Sequence, residues 1–143
     1  MTAPTLEKAN HIITTSFAHG KDLDLQPLTT VVLDAGGHLI AMQRQDGASM
    51  LRFEIANGKA FGALALGMGS RKVSAIAVDR PHFMEGLSGV SGGRIVPVPG
   101  GVLIRDNKGA ILGAVGITGD TSDNDEACAI AGIEAAGFVA DGG

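Results

Sequence analysis

Two apolar runs separated by a four-residue turn constrain the fold of this chain more than any other feature. The runs Gly101–Arg105 and Ala110–Thr118 flank the sequence Asp-Asn-Lys-Gly at positions 106–109. Because Asn and Gly adopt positive φ at low cost, the segment predicts a β-hairpin. Beyond the second run, Ser122 and Asp125 match the short motif that begins a helix. Such a junction is a common place for a small-molecule site, since free backbone N–H groups point outward at a helix N-terminus.

Apolar periodicity and turn residues predict the other elements. The predicted helices span about Thr5–His19, Ser49–Leu66 and Ser70–Val78, with a last helix after Ser122. The predicted strands are Leu28–Leu33, His38–Gln43 and an edge strand at Ile95–Val98, near which two prolines lie. The segment His82–Gly93 has no apolar period and is predicted to be a loop. The resulting order is α-β-β-α-α-β-β-β-α. Hairpins rather than βαβ crossovers favour an antiparallel sheet, so the expected class is α+β.

Composition indicates how such a fold would pack. The chain has 143 residues, 45% hydrophobic and 18% charged, which is typical of a single globular domain spanning residues 1–143. Trp and Tyr are absent and Gly occurs 22 times, so we expect a core of small aliphatic side chains with close backbone contacts. Chains of this kind often hide apolar surface between subunits, and a homo-oligomer is therefore expected.

Charge and hydropathy argue against several classes of partner. The net charge is −4, the pI is near 5.4 and no basic stretch exceeds Arg71-Lys72, so no nucleic acid partner is expected. No apolar run approaches the ~20 residues of a membrane span, and the N-terminus lacks a signal-peptide core, so the expected location is cytoplasmic, without a membrane partner. Cys128 is the lone cysteine, which excludes an intramolecular disulfide and a cysteine zinc cluster.

The four histidines are the candidate metal ligands. His11 and His19 lie eight residues apart on the first predicted helix, roughly 12 Å along its axis, and cannot share one metal ion. His38 follows a hairpin turn. His82 stands beside Phe83 in the predicted loop, where soft apolar neighbours favour a ligand site. A single histidine suffices as an axial ligand of haem iron, so His82 and His19 are candidate cofactor ligands and His82 the candidate metal ligand.

A second set of candidates lies on the second long helix and at the last helix start. Steps of three and four place Arg52 and Lys59 on one helix face with small alanines between them, which leaves room for an anionic ligand. Equally, both side chains can cover apolar surface while their charges stay hydrated. Asp125 and Glu126 can serve in proton transfer or simply stabilise the helix N-terminus. Gly100-Gly101 marks a close backbone approach at a candidate cofactor site.

With these residues in view, the chain resembles the GlcG/HbpS-like haem-degrading and haem-binding family, which includes the C-terminal domain of PduO-type corrinoid proteins. The similar segments are Val31–Leu39, Asp46–Ala48, Ala56–Ala60, Pro99–Val102, Gly113–Gly119 and Asp125–Ala129. The resemblance implies a profilin/PAS-like sheet of five antiparallel strands with flanking helices, assembled into dimers and often octamers. Gly62 and Leu103 depart from the family pattern, which usually has threonine and proline there.

These features leave three functions open. In the first, the protein is a small cytoplasmic oligomer that binds haem or a related tetrapyrrole, with a histidine on the iron and Arg52 or Lys59 at the propionates. In the second, it is a catabolic lyase, isomerase or hydratase that acts on a small oxygenated molecule. Lys59, Asp125 and Glu126 would then transfer protons while backbone N–H groups near Gly100 stabilise an enolate. In the third, it is a sensor or assembly module without catalysis.

Overall fold

Five α-helices and five β-strands form the fold in the computed structural model, which describes residues 3–143. The helices are α1 Leu6–Asp22, α2 Arg52–Leu66, α3 Ser70–Asp79, α4 Pro81–Val90 and α5 Ser122–Ala135. The strands are β1 Thr29–Asp34, β2 Leu39–Arg44, β3 Gly101–Arg105, β4 Ile111–Thr118 and β5 Val139–Asp141. No helix within residues 3–143 has the length and hydropathy required to cross a bilayer.

The strands form one antiparallel sheet in the order β2-β1-β4-β3-β5. The two predicted hairpins supply four of its strands. Turn residues with positive φ, Gly37 at 82° and Gly109 at 87°, close these hairpins. The predicted α+β class with a five-stranded antiparallel sheet is confirmed.

Successive strand residues point to opposite faces of the sheet, so a separate hydrophobic cluster lies on each face. Helices α1 and α5 pack together on one face, over side chains that include Val32, Val115 and Ile117. Helix α2 covers the other face, where Val31 and Leu103 meet Ala56 and other small residues. The small residues let α2 lie so close that a Cβ on Gly116 would collide with the backbone carbonyl of Ala56. Each strand of the sheet centre is therefore buried on both sides.

The predicted loop at His82–Gly93 is wrong, because most of this segment is helix α4. Pro81 begins the helix at a position where its missing N–H is no loss. Met84 is buried against Val73 and Ile95, and this tertiary contact stabilises a helix that its glycines disfavour.

The predicted edge strand Ile95–Val98 is also wrong. The backbone N–H of Val96 donates to the carbonyl of Gly58 on α2 at 3.2 Å, so the segment runs along a helix instead of pairing with a strand. Prolines 97 and 99 have no N–H to offer to a ladder. The fifth strand is instead the C-terminal β5, which pairs with β3, so the element order differs from the predicted one at these two places.

Two predicted helix starts shift. Helix α5 is capped by Thr121, whose Oγ1 accepts from the N–H of Asn124 at 3.2 Å, rather than by Ser122. Helix α2 has Leu51 at its N-cap and no side-chain cap, rather than the predicted Ser49. At α5 the capping hydroxyl belongs to the residue just before the predicted one, so the predicted cap is displaced by a single position.

Candidate functional site

Lys59 and Asp125 form a buried ion pair where β4 leads into α5. Lys59 Nζ lies 3.0 Å from Asp125 Oδ2, and the two side chains are only 3% and 1% exposed. The same ammonium donates to the carbonyl oxygen of Ile117 at 2.9 Å, while Asp125 Oδ1 accepts the N–H of Asp120 at 3.0 Å. The structure therefore brings together two of the three predicted catalytic residues, although they are 66 positions apart in the chain.

Burial controls the proton affinities of this pair. Desolvation lowers the pKa of Lys59, and the positive charge of Arg52 lowers it further, while Asp125 acts in the opposite direction. Desolvation also raises the pKa of Asp125 against the pull of Lys59. Both shifts disfavour the charged forms, as expected when two ionisable groups are buried together.

The predicted Gly100-Gly101 turn packs directly on Lys59. Gly100 has φ of 120°, and a Cβ there would lie 2.9 Å from Lys59 Nζ. The N–H of Gly101 donates to Ser70 Oγ at 2.7 Å, so this N–H is not available to stabilise an enolate. Ser70, at the start of α3, is a site residue that the sequence reasoning did not identify; its position just after a glycine before a helix is its only sequence signal.

Arg52 lies beside the pair but contacts no carboxylate. Its Nη1 donates to Thr118 Oγ1 at 3.0 Å, and its side chain is half-buried. Thr118 ends β4 and was not among the predicted site residues. Arg52 thus retains a charged group that no acid within residues 3–143 neutralises.

Glu126 faces away from Lys59. Its carboxylate pairs with Arg71 Nε at 3.1 Å, and Arg71 also contacts Asp123 at 2.6 Å in an exposed cluster. Internal bonds occupy part of the helix start: Thr121 Oγ1 accepts from the N–H of Asn124 at 3.2 Å, and Asp120 Oδ1 accepts from the N–H of Thr121 at 2.9 Å. Two of the N–H groups that the sequence predicted at this junction, those of Thr121 and Asn124, are therefore already paired.

The histidines lie apart from this cluster. His82 is exposed on α4, and His19 is half-buried in the last turn of α1. His38 is 82% exposed and stands 3.3 Å from Asp34 Oδ1 in the β1–β2 turn. Across residues 3–143, no three His, Cys, Asp or Glu side chains are arranged to hold a metal ion among themselves. A metal in this part of the chain would therefore need ligands from elsewhere, as haem iron obtains from its porphyrin.

The chain is similar to proteins of one family over almost its whole length. The model of the family described as "Haem degrading protein HbpS-like" matches residues 5–134. An uncharacterised 15.0 kDa protein of Citrobacter freundii, from the dhaT-dhaS intergenic region, is 34% identical over 99 residues, which cover 69% of this chain and 68% of the relative.

Solved structures share the fold. A PduOC:heme complex superposes with a TM-score of 0.84 at 22% identity, covering 96% of this chain and 97% of that one. A double mutant of Streptomyces reticuli HbpS superposes with a TM-score of 0.81 at 23% identity, covering 94% and 88% of the two chains. The family match, the identity to the Citrobacter relative and the shared fold agree, and the chain belongs to the HbpS-like family.

Proposed function

We propose that this protein binds haem, with His82 as the axial ligand of the iron and His19 as the second candidate. The family description and the haem bound by one structural neighbour support a tetrapyrrole ligand. The observation in this chain that carries the proposal is the surface of α4 around His82. This imidazole is exposed, and glycines stand four and seven positions further along the same helix.

Gly86 and Gly89 share one helix face with His82, because steps of four and three residues return to the same side. A Cβ added to either glycine would have no atom within 4 Å, so this face is open at both glycines, with the exposed Glu85 at its edge. A planar macrocycle needs such a surface next to its axial ligand, and Phe83, which is 40% exposed, adds an apolar edge. When bound, haem would supply an iron centre capable of redox chemistry.

The two cations assigned to the propionates differ in availability. Lys59 is buried and neutralised by Asp125. Arg52 is half-buried and, among the residues that the structure describes, donates only to the neutral hydroxyl of Thr118. Arg52 is therefore the better partner for a carboxylate, because a guanidinium forms paired hydrogen bonds with both carboxylate oxygens.

A homo-oligomer, between dimer and octamer, is part of the proposal. Several large apolar side chains are strongly exposed in the single chain: Met50 at 85%, Val78 at 82% and Val90 at 86%. Subunit contacts would remove such surface from water. Light scattering coupled to gel filtration measures the subunit number; a monomer at micromolar concentration would contradict the assembly.

The decisive experiment is a hemin titration of the purified protein, followed in the Soret region. Saturation near one haem per chain is expected, with a shifted Soret band that His82→Ala abolishes. His38→Ala is the matched control, since His38 is also exposed but lies in a hairpin turn. Gly86→Phe should weaken haem binding, because its ring would cover the open face of α4 while the iron-ligating histidine stays in place. If His82→Ala leaves the Soret band unchanged and His19→Ala removes it, the iron ligand is His19; if neither substitution changes the band, histidine ligation is wrong.

The second candidate function is proton transfer by a lyase, isomerase or hydratase on a small oxygenated molecule. Its supporting observation is the desolvated pair of Lys59 and Asp125, whose pKa values are shifted toward each other. Asp125, rather than Glu126, would be the partner carboxylate, because Glu126 is paired with Arg71. Turnover of small hydroxy and oxo acids by the haem-free protein, lowered about 100-fold or more by Lys59→Met, would support this function; unchanged turnover would remove Lys59 from it.

A further inference from the structure

A buried hydroxyl without a partner lies at one end of the sheet. Thr29, the first residue of β1, is 0% exposed, and its Oγ1 forms no hydrogen bond with residues 3–143. Buried polar side chains nearly always have a hydrogen-bond partner. The neighbouring Thr30 follows that rule, since its Oγ1 lies 2.9 Å from Ser16 Oγ. The hydroxyl of Thr29 therefore indicates a place where a further polar atom binds.

The strand register places Thr29 in a row of polar residues across three strands. Its partner on β2 is Arg44, and its partner on β4 is Thr118. Paired residues of adjacent strands project from the same face of a sheet. This face is the one that α2 covers, because Val31 on the same strand packs against α2 and Arg52 from α2 donates to Thr118.

The row carries positive charge without an internal counter-ion. Within residues 3–143, Arg44 forms no ion pair and no side-chain hydrogen bond, and Arg52 contacts only a hydroxyl. The nearest buried carboxylate, Asp125, is taken by Lys59. Glu54 in the first turn of α2 is exposed and forms no ion pair with the described residues. The N-terminus of α2 adds positive potential, because no side chain of the described part of the chain caps it.

We propose that Arg44, Thr29, Thr118 and Arg52 bind the carboxylate group of a small organic acid. Because Thr29 Oγ1 is closed to solvent, the neighbouring side chains would move aside on binding; one carboxylate oxygen would then accept from the Thr29 hydroxyl, and the guanidinium groups would neutralise the charge. The next positions on this face are apolar: Met42 on β2 and Phe53 on α2 are partly buried hydrophobic residues of the same cluster. They fit the carbon body of an organic acid better than an inorganic anion. Arg52 also serves the haem proposal, but this inference does not depend on haem.

The test is a titration of haem-free, isotope-labelled protein with sodium butanoate at constant ionic strength, followed by the amide NMR signals of Thr29 and Thr118. Saturable shifts at both amides are expected. Thr29→Val and Arg44→Gln should each weaken the affinity about tenfold or more, the typical effect of removing a hydrogen bond or charge from an anion site. Neither substitution should lower the melting temperature, since the Thr29 hydroxyl has no partner among residues 3–143 and Arg44 is exposed.

Arg94→Gln is the matched control. Arg94 is also an exposed arginine, but it stacks on the ring of Phe61 with 4.1 Å between guanidinium carbon and ring centroid. This variant should bind butanoate with unchanged affinity. A parallel titration with sodium phosphate separates the two kinds of oxyanion. Saturation by phosphate alone, the absence of saturable shifts with butanoate, or equal affinity in Thr29→Val would each overturn the proposal, whatever the result of the hemin titration.

Discussion

Lys59 on α2 reaches Asp125 on α5 around the end of the sheet, although the two helices pack on opposite faces. The 3.0 Å contact between Nζ and Oδ2 is almost fully removed from water. The pair thus connects both layers of the fold at the point where β4 ends, beside the carbonyl of Ile117 and the Gly100 backbone. A single substitution here should affect both layers.

Breaking this pair should cost far more than breaking the exposed pair nearby. Lys59→Met leaves the Asp125 carboxylate buried without a counter-ion, and we expect the free energy of unfolding to fall by about 3–5 kcal/mol. The double variant Lys59→Met/Asp125→Leu should recover much of that loss, because no unpaired charge remains. Denaturant unfolding measures both. Arg71→Met is the control and should cost less than about 1 kcal/mol, since its ion pairs are solvated.

The stability contributed by the pair should depend on pH in a defined direction. Asp125 has a raised pKa, so its favourable contribution is present below the ordinary value of 3.8 and is lost as pH rises through the folded-state pKa. Lys59 has a lowered pKa, so its contribution is present above 10.5 and is lost as pH falls through the folded-state pKa. Relative to Lys59→Met/Asp125→Leu, the wild type should be least stable between these limits. A maximum near neutral pH in this difference would show that mutual attraction outweighs desolvation.

Replacing each of two glycines by alanine should change the free energy of unfolding in opposite directions. A Cβ on Gly101 would collide with the backbone carbonyl of Lys59, which cannot move without shifting α2. We expect Gly101→Ala to lower the free energy of unfolding by about 1–3 kcal/mol. Gly86→Ala has open space around it within a helix and should raise it by about 0.5–1 kcal/mol. Thermal melting of the two variants checks the contrast, and similar shifts for both would refute the packing argument.

Adjacent threonines of β1 provide a further contrast. Both are 0% exposed, but within residues 3–143 only the Thr30 side chain has a hydrogen-bond partner, the hydroxyl of Ser16. Thr30→Val removes the hydrogen bond to Ser16, whose hydroxyl keeps its bond to the carbonyl of Ile13 at 2.8 Å, and should cost about 1 kcal/mol. Thr29→Val removes a hydroxyl that already lacks a partner, so without added anion it should be neutral or stabilising. Equal losses from the two substitutions, measured by chemical denaturation, would mean that Thr29 has a partner in solution.

Much of the fold followed from local pattern. The hairpins were predictable because turn glycines and β-rich runs act over a few residues, as at Gly37 and Gly109. Helix α4 was missed because its two internal glycines disfavour a helix, while its stabilising contact, Met84 on Val73 and Ile95, is tertiary. The short β5 was missed because three residues carry too little periodicity, and only pairing with β3 makes them a strand.

The candidate site also has features that the sequence predicts and features that depend on the tertiary structure. The sequence by itself determined the residue types, namely a lysine and an arginine on one helix face and a carboxylate at a helix start, because helical periodicity fixes which side chains share a face. Only the tertiary structure decided that Asp125 turns inward to Lys59 while Glu126 turns outward to Arg71. It also decided that Thr29 stands between Arg44 and Thr118, since strand order and register join residues that lie far apart along the chain.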